Sequence, residues 1–294
     1  MQHMVLLKKG ITLSDFFYTP WTKHLRILLC MVFSIALGAE TPLINTQSIR
    51  FTIEPLPLHS NLSIDKDWTS WEIHDRLGNG FVFRLRLPAK EKLDSAALML
   101  FLDGSGSNGH DNSAQMHYPN FLKMFEGDRA LNAVVIVPQC AVGDSWDSLQ
   151  WTGPAPPQTN HAAAPLLDLL VDLVTEIKNQ FAISSSHCLI WGFSQGAFGT
   201  LDTLVHYPDS FGAYISLGGG NDPIAVADAL GHQSLWLFHG GKDSNVNPEH
   251  SQRIARAVAA AGKSCHLIIF PDAPHQIMDS VLLNPEFVAF LRQF

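Results

Sequence analysis

Charge is scarce in this sequence, and basic charge is the scarcer kind. Only 16% of the 294 residues are charged, and 19 Lys and Arg stand against 27 Asp and Glu, so the formal net charge is −8. Binding to nucleic acid needs a basic face that neutralises phosphates, and the sequence shows none. With 46% hydrophobic residues the chain predicts a large buried core and gives no indication of disorder. We therefore expect no nucleic-acid partner.

Cysteine is also rare, with four residues in the whole chain. Cys140, Cys188 and Cys265 are widely separated, a spacing that does not indicate a disulfide framework. The 14 histidines are dispersed, and no Cys/His cluster has the spacing of zinc ligands. The sequence therefore predicts no metal site and no cofactor. It also shows no internal repeat and no linker long enough to separate two domains.

Long hydrophobic runs are few, and the one near the start of the chain is short. Lys23 and Arg26 precede the apolar run of residues 27–37, and Ala36-Leu37-Gly38 or the adjacent Ala39 offers a small-residue cleavage site. The run is too short to span a bilayer comfortably, so a permanent anchor is the less favoured alternative. We expect residues 1–39 to be a removable export signal, and residues 40–294 to form one α/β domain. The mature protein would be periplasmic or secreted, with no stable membrane span.

The most informative segment is Gly192-Phe193-Ser194-Gln195-Gly196. An apolar run, residues 188–191, precedes it and a helix-compatible stretch, residues 197–206, follows it, which predicts a strand, a tight turn and a helix. The serine hydroxyl is a useful nucleophile only when it is exposed beside a base and faces hydrogen-bond donors. The flanking glycines let strand and helix approach each other. We therefore predict that Ser194 is a catalytic nucleophile.

An acid and a histidine should follow the serine, each after a further strand. Residues 235–239 predict a buried strand, and Asp243 lies in the turn after it. Residues 265–270 predict the next strand, and the turn after it carries His275. A predicted helix between residues 247 and 261 connects the two strands, and its right-handed crossover places both turns at one edge of the sheet. Asp243 is the predicted acid and His275 the predicted base.

Each of these assignments has an alternative. Asp272 also follows a strand, but it lies only three residues before His275. In this arrangement acid and base come from different strand ends, which favours Asp243. His239 and His250 are alternatives for the base. His239 falls in or at the edge of a strand, which favours a buried structural role.

Two backbone N–H groups are expected to stabilise the oxyanion. Gln195 directly follows the nucleophile at the amino end of a helix, so its amide is the first predicted donor. The second is expected from the loop after the strand at residues 97–102, where Ser105 is the candidate. Gly104, Gly106 and Gly109 also match the G-x-G-x-x-G pattern of a phosphate-binding loop. No acidic residue follows at the end of a second strand, as a dinucleotide-binding fold would require, and this disfavours a phosphate-binding loop.

The remaining patterns complete the predicted fold. Residues 81–87 alternate with a two-residue period, as an antiparallel edge strand does. Residues 133–137 and 211–217 are apolar runs typical of buried parallel strands, and residues 166–181 predict a long amphipathic helix. The predicted fold class is α/β, with a mostly parallel central sheet, helices on both faces and N-terminal antiparallel edge strands.

A polar, aromatic-bearing stretch between residues 109 and 164 is expected to border the ligand crevice, because strand ends in this architecture open onto it. Trp146 and Gly104 are the predicted substrate contacts. The alternative for Trp146 is a position that covers the core. No large insertion resembles a helical lid, so the prediction is a fairly open cleft.

These segments resemble the α/β-hydrolases, and among them the serine esterases of the carboxylesterase and phospholipase type, including bacterial proteins called predicted peptidases. Residues 101–106 resemble their oxyanion segment, and residues 137–140 with Trp146 resemble their Pro-Gln-Cys-Pro segment and downstream tryptophan. The resemblance covers about residues 80 to 285. The chain departs from the pattern at Asp103, where histidine is usual, and at Ala197, where a further glycine is common.

The resemblance implies an α/β-hydrolase fold and an exported serine hydrolase that cleaves carboxylic esters of small to medium acyl groups. The reaction would pass through an acyl-Ser194 intermediate without metal or cofactor. The implied substrate is a small-molecule or polysaccharide-linked ester, and the oligomeric state stays open. Two alternatives remain, a serine peptidase on the same triad and a catalytically silent binding protein.

Overall fold

A computed structural model describes residues 51–56, 67–127, 130–150, 158–159 and 165–294. The predicted export signal, residues 1–39, lies outside these described residues, so its removal stays a prediction. Within the described ranges, no helix is both long and apolar enough to cross a lipid bilayer.

Nine of the described strands form one sheet in the order β1-β2-β3-β5-β4-β8-β9-β10-β11. The strands of this sheet are β1 (Phe51–Pro55), β2 (Trp68–Asp75), β3 (Gly80–Arg86), β4 (Ala97–Leu102), β5 (Ala133–Gln139), β8 (Cys188–Phe193), β9 (Ala213–Leu217), β10 (Ser234–Gly240) and β11 (His266–Phe270). Two further short strands, β6 (Leu149–Gln150) and β7 (Gln158–Thr159), pair with each other.

The described helices lie between these strands or follow the last of them. They are α1 (Pro119–Leu122), α2 (Pro165–Phe181), α3 (Gln195–His206), α4 (Pro223–Ala229), α5 (Glu249–Ala260), α6 (Met278–Leu282) and α7 (Pro285–Leu291). Short 3-10 turns lie at Lys90–Ser95, Ser105–Ser107, Ala114–Met116, Lys123–Phe125 and Ser185–His187.

The first three strands form the antiparallel edge that the alternation of residues 81–87 predicts. β1 pairs with β2, β2 with β3, and β3 with β5, each pair antiparallel. Phe81, Phe83 and Leu85 of β3 are buried, because alternate side chains of a strand point to the same face. This edge therefore extends the core of the sheet.

The remaining six strands, β5, β4, β8, β9, β10 and β11, pair in parallel. All residues of β4, β5, β8 and β9 are buried, as expected for parallel strands with both faces covered. The mixed α/β sheet with N-terminal antiparallel strands confirms the predicted fold class, and the fold is that of the α/β-hydrolases. β8 runs two residues past the predicted apolar stretch, into the glycine and phenylalanine of the serine turn.

Two helices show how local sequence sets their ends and faces. Leu166, Leu170 and Val174 of α2 are buried, which fits its predicted amphipathic face. At α5, the Asn247 side chain accepts a hydrogen bond from the Glu249 amide at 2.9 Å, and Gly262 beyond the helix end has φ +72°, a conformation that favours glycine. A helix therefore connects β10 and β11, as the sequence predicts.

The three described cysteines, Cys140, Cys188 and Cys265, carry free thiols. Cys140 and Cys188 are buried, and burial raises the pKa of each of their thiols to about 12. A thiol reacts as its thiolate, so these two side chains act as small hydrophobic residues.

Parallel pairing also brings four loops to one edge of the sheet. Phe193, the last residue of β8, pairs with Leu217, and Leu217 pairs with Phe238 of β10. Gly240 of β10 in turn pairs with Phe270, the last residue of β11. The chain segments that follow β4, β8, β10 and β11 therefore leave the sheet at its carboxyl edge, where α/β proteins bind ligands.

Candidate active site

Ser194 occupies a strained turn between β8 and α3. Its φ is +54° and its ψ is −118°, a conformation that costs a non-glycine residue about 1–3 kcal/mol. The Ser194 amide donates to the Leu217 carbonyl at 2.9 Å. A Cβ at Gly192 would lie 2.1 Å from the Gly196 carbonyl oxygen, and one at Gly196 would lie 2.0 Å from that of Leu102. Both glycines are therefore required for the close approach that holds the serine in this turn.

The structure brings Ser194, His275 and Asp243 into one hydrogen-bonded relay. His275 Nε2 lies 2.9 Å from Ser194 Oγ, and His275 Nδ1 lies 2.6 Å from Asp243 Oδ2. Since a carboxylate only accepts, Nδ1 carries the proton, and the lone pair of Nε2 faces the serine hydroxyl. The side chain of His275 is 13% exposed, so the relay reaches the surface while its acid stays inside.

The carboxylate of Asp243 is held by its own turn. Oδ1 accepts hydrogen bonds from the amides of Asn245 and Val246, each at 2.9 Å. Its Oδ2 also lies 3.4 Å from Nε2 of the buried His239. Since Oδ1 is engaged by these amides, Oδ2 is directed to His275, which fixes the orientation of the imidazole.

Asp272 and His239, the alternatives for the acid and the base, have hydrogen-bond or ion-pair partners of their own. Asp272 is 87% exposed and pairs with Lys242 at 2.7 Å. His239 is fully buried, with Nδ1 2.7 Å from the Ser251 hydroxyl and Nε2 3.0 Å from the Val246 carbonyl. It has the structural environment that its strand position predicts, and its contact with Asp243 is a feature that the sequence did not reveal.

Of the two predicted oxyanion donors, Gln195 begins α3, a helix of 12 residues, so its N–H is one of the amides that a helix leaves unpaired. Ser105 begins the 3-10 turn after β4. In the described part of the chain, neither amide donates a hydrogen bond to a protein acceptor. Both amides are thus available to an oxyanion, and their role stays a prediction.

Gly104 brings the loop of Ser105 against Ser194. A Cβ at Gly104 would lie 3.1 Å from Ser194 Cβ. The preceding residue, Asp103, accepts the Gly104 amide on Oδ1 at 2.6 Å and the Tyr118 hydroxyl on the same atom at 3.0 Å. Tyr118 carried no signal in the sequence, because it lies 15 residues from Asp103 in a segment without a motif. The predicted substrate contact of Gly104 stays a prediction.

Trp146 is not placed as predicted. Its side chain is 1% exposed and packs edge-on against Phe81, with ring centroids 5.4 Å apart. A Cβ at Gly199 of α3 would lie 2.5 Å from Trp146 Cβ, so the tryptophan lies tightly against this helix. The prediction of a substrate contact was therefore wrong, and Trp146 takes the alternative position in the core, since its large apolar ring gains more from burial than from a place in an open cleft.

Comparisons with known proteins identify a family and a fold that this chain matches. A family model described as phospholipase/carboxylesterase matches residues 89–287. No curated protein matches the chain by sequence.

Three solved structures illustrate the shared fold. A thermostable esterase has a TM-score of 0.63 at 22% identity over 78% of this chain, which spans 64% of that esterase. A ferulic acid esterase has a TM-score of 0.54 at 12% identity, with 82% and 99% of the two chains covered. The acylaminoacyl peptidase of Pyrococcus horikoshii has a TM-score of 0.54 at 14% identity, with 78% and 44% covered.

Proposed function

Since the chain belongs to the phospholipase/carboxylesterase family, we propose that it hydrolyses carboxylic esters through an acyl intermediate on Ser194. Family membership makes it a carboxylic ester hydrolase that acts on small-molecule esters. The observation that carries the proposed mechanism is the relay of 2.9 and 2.6 Å from Ser194 through His275 to Asp243.

In the first half of the proposed reaction, Ser194 Oγ attacks the ester carbonyl carbon while His275 Nε2 takes its proton. The carbonyl oxygen becomes an oxyanion, which the amides of Gln195 and Ser105 stabilise. The carbon–oxygen bond to the alcohol then breaks, and His275 gives its proton to the leaving oxygen.

Water completes the cycle. His275 takes a proton from a water molecule as the water oxygen attacks the acyl carbon. The bond between the acyl carbon and Ser194 Oγ then breaks, and His275 returns a proton to the serine. Throughout, Asp243 stabilises the imidazolium and keeps Nδ1 protonated. The chain itself supplies the nucleophile, the base, the acid and the oxyanion donors.

The first test is the substrate series and the nucleophile variant. Ser194→Ala should lower kcat about 10⁴-fold or more, with thermal stability nearly unchanged, because the nucleophile is lost and only one surface oxygen is removed. A fluorophosphonate probe should label the native protein and not Ser194→Ala. Substantial activity in Ser194→Ala would refute the assignment of the nucleophile. A native protein that stays unlabelled and binds a partner would instead favour a silent scaffold.

The alternative is a serine peptidase that uses the same triad. We retain this alternative because an acylaminoacyl peptidase shares the fold. Comparing p-nitrophenyl acetate, butyrate and longer esters with peptide anilides separates the two activities. We expect faster turnover of the short esters. A feruloyl ester belongs in the series because a ferulic acid esterase shares the fold, and polysaccharide-linked esters would suit an exported enzyme.

We further propose that the protein is exported by residues 1–39, on the strength of their charged start, apolar run and small-residue site. Expression of the full chain, followed by cell fractionation and N-terminal sequencing, tests this. A product that retains its first 39 residues in the cytosolic fraction would refute export without touching the proposed chemistry.

A further inference from the structure

Asp103 carries a buried carboxyl group that the proposed reaction does not use. It directly follows β4 and is 3% exposed. Its Oδ1 accepts hydrogen bonds from the Gly104 amide at 2.6 Å and from the Tyr118 hydroxyl at 3.0 Å. One oxygen atom therefore holds the start of the loop that carries Ser105, and joins it to a distant tyrosine.

The groups around Gly104 fix the direction of the Ser105 amide. The Gly104 carbonyl accepts from the Ser107 amide at 3.1 Å and from the Ser107 hydroxyl at 2.9 Å. Because the peptide between Gly104 and Ser105 is planar and trans, the Ser105 N–H points away from this carbonyl. With the Gly104 N–H held by Asp103 and its carbonyl held by Ser107, the orientation of the next amide is determined.

Gly104 needs this support, because glycine has the largest backbone freedom of any residue. Contact with the nucleophile leaves little room for a side chain here, since a Cβ would lie 3.1 Å from Ser194 Cβ and 3.3 Å from Phe193 Cδ1. A catalytic group displaced by about 1 Å can lose about a hundredfold in rate. The position therefore combines a flexible residue with a strict geometric requirement.

Tyr118 connects the same cluster to the segment of the base. Its ring packs edge-on against Phe101 and Phe193, at 5.8 and 6.3 Å between centroids, and the Phe193 ring lies 4.8 Å from that of His275. The Asp103 contacts thus bind the loop of Ser105 to the elements on which the triad lies.

We propose that Asp103 is a positioning residue that, by accepting the Gly104 amide and the Tyr118 hydroxyl, directs the Ser105 N–H toward the oxyanion formed at Ser194. The inference rests on the proposed esterase function and deepens it. Burial raises the pKa of the Asp103 carboxyl, while its hydrogen bonds and the neighbouring His117, whose Nδ1 lies 3.4 Å from Oδ2, oppose that shift. Asp103 would thus support the loop at the position where similar enzymes have histidine.

The test compares Asp103→Asn, Asp103→Ala and Tyr118→Phe with the wild type in hydrolysis of p-nitrophenyl butyrate. Asp103→Asn keeps an acceptor oxygen, so kcat should stay within about threefold of the wild type. Asp103→Ala should lower kcat about 10- to 100-fold with KM within about threefold, since the interaction that it removes acts in the transition state. Tyr118→Phe should have a smaller effect than Asp103→Ala.

A trifluoromethyl ketone, which forms a tetrahedral adduct on serine, should lose affinity in Asp103→Ala in proportion to the loss of kcat.

Asp75→Ala is the matched control. Asp75 ends β2, and its Oδ1 accepts the amides of Leu77 at 2.8 Å and Asn79 at 2.9 Å, but none of its described hydrogen bonds involves the loop of Ser105. Its kcat and KM should stay within about twofold of the wild type, because the hydrogen bonds of this carboxylate do not orient the Ser105 amide.

Three results would overturn the proposal: an unchanged kcat in Asp103→Ala, a change in KM alone, or an Asp103→Asn variant as slow as Asp103→Ala. If Asp103→Ala does not fold, as judged by thermal unfolding, retained activity in Asp103→Asn with reduced kcat in Tyr118→Phe supports the proposal, and the reverse pattern refutes it. Failure of the proposed function is distinct, because the wild type would then neither hydrolyse esters nor react with a fluorophosphonate.

Discussion

The hydrogen-bonded relay of Ser194, His275 and Asp243 and the loop of Ser105 lie at the same edge of the sheet but are held in different ways. The relay joins side chains that are 81 and 32 residues apart in the sequence, and each contact is a direct side-chain hydrogen bond. The loop instead presents backbone N–H groups, whose direction depends on neighbouring acceptors. The positions of the relay side chains are thus set by the ends of a few strands. The directions of the backbone N–H groups instead depend on every contact that holds their loop.

The far end of this loop shows how much support it has. Asn112 is buried with φ +52°, a region that few non-glycine residues occupy. Its amide donates to Gln139 Oε1 at 2.7 Å, its carbonyl accepts from Arg84 Nε at 2.7 Å, and its side chain donates to the Phe83 carbonyl at 2.9 Å. The loop is therefore anchored to β3 and β5, away from the strands that carry the relay.

The largest effect should come from breaking the relay at its acid. Asp243→Asn should lower kcat about 10³- to 10⁴-fold. The amide of the new side chain can donate to His275 Nδ1, so the imidazole proton moves to Nε2. A protonated Nε2 cannot accept the proton of the Ser194 hydroxyl. Steady-state kinetics on a p-nitrophenyl ester measures this loss, and circular dichroism checks the fold.

Asp272→Asn is the control for that variant, since Asp272 also follows a strand but is 87% exposed and paired with Lys242. Exposed ion pairs contribute little, so activity should stay within about twofold of the wild type. If Asp272→Asn lost activity as severely as Asp243→Asn, the assignment of the acid would be wrong.

An intermediate effect should come from moving the loop. In Gly104→Ala the new Cβ would lie 3.1 Å from Ser194 Cβ, so the loop must shift by a few tenths of an ångström. We expect kcat to fall about tenfold, and the free energy of unfolding to drop by about 1 kcal/mol through overpacking.

Gly106→Ala provides the comparison within the same loop, because a Cβ at that position has no atom within 4 Å. Its kcat should be that of the wild type within about twofold. Equal kinetics for the two alanine variants would show that the distance between this loop and the nucleophile does not limit the reaction.

The smallest effect concerns the pH dependence of stability. Burial, as the largest cause, lowers the pKa of His239 below its ordinary value of 6.5; His275 and His250 add to the shift and Asp243 opposes it. As the pH falls below about 6.5, the unfolded chain binds a proton that the folded protein resists, so His239 makes stability fall toward acid. His239→Gln should therefore lose less stability than the wild type between pH 7.5 and 5.5.

Urea unfolding at the two pH values measures this difference, with the exposed His232→Gln as control. The slope of stability against pH should be flatter in His239→Gln and unchanged in His232→Gln. A His239→Gln protein with the slope of the wild type would mean that burial of this imidazole does not govern the acid side of the stability curve.

The parts of the site that the sequence made predictable are those tied to local pattern. The apolar strand before Ser194 and the glycines beside it predict the turn, and the strand ends before Asp243 and His275 predict where their side chains meet. Trp146 shows the limit of prediction from sequence, because the polar, aromatic-bearing segment around it is compatible both with a cleft wall and with a position in the core. Only its packing against Phe81 decides between them.

Local sequence was enough to set the order of strands and helices, the strained serine turn and the three side chains at the carboxyl edge, because hydrophobic period, glycine and turn residues act over a few positions. Which residues hold the loop of Ser105 became visible only in the folded protein. Asp103 and Tyr118 meet across 15 residues through one oxygen atom, and a hydrogen bond between segments without periodic pattern leaves no trace in either segment. Such a contact exists only once the sheet has brought its loops to a common edge.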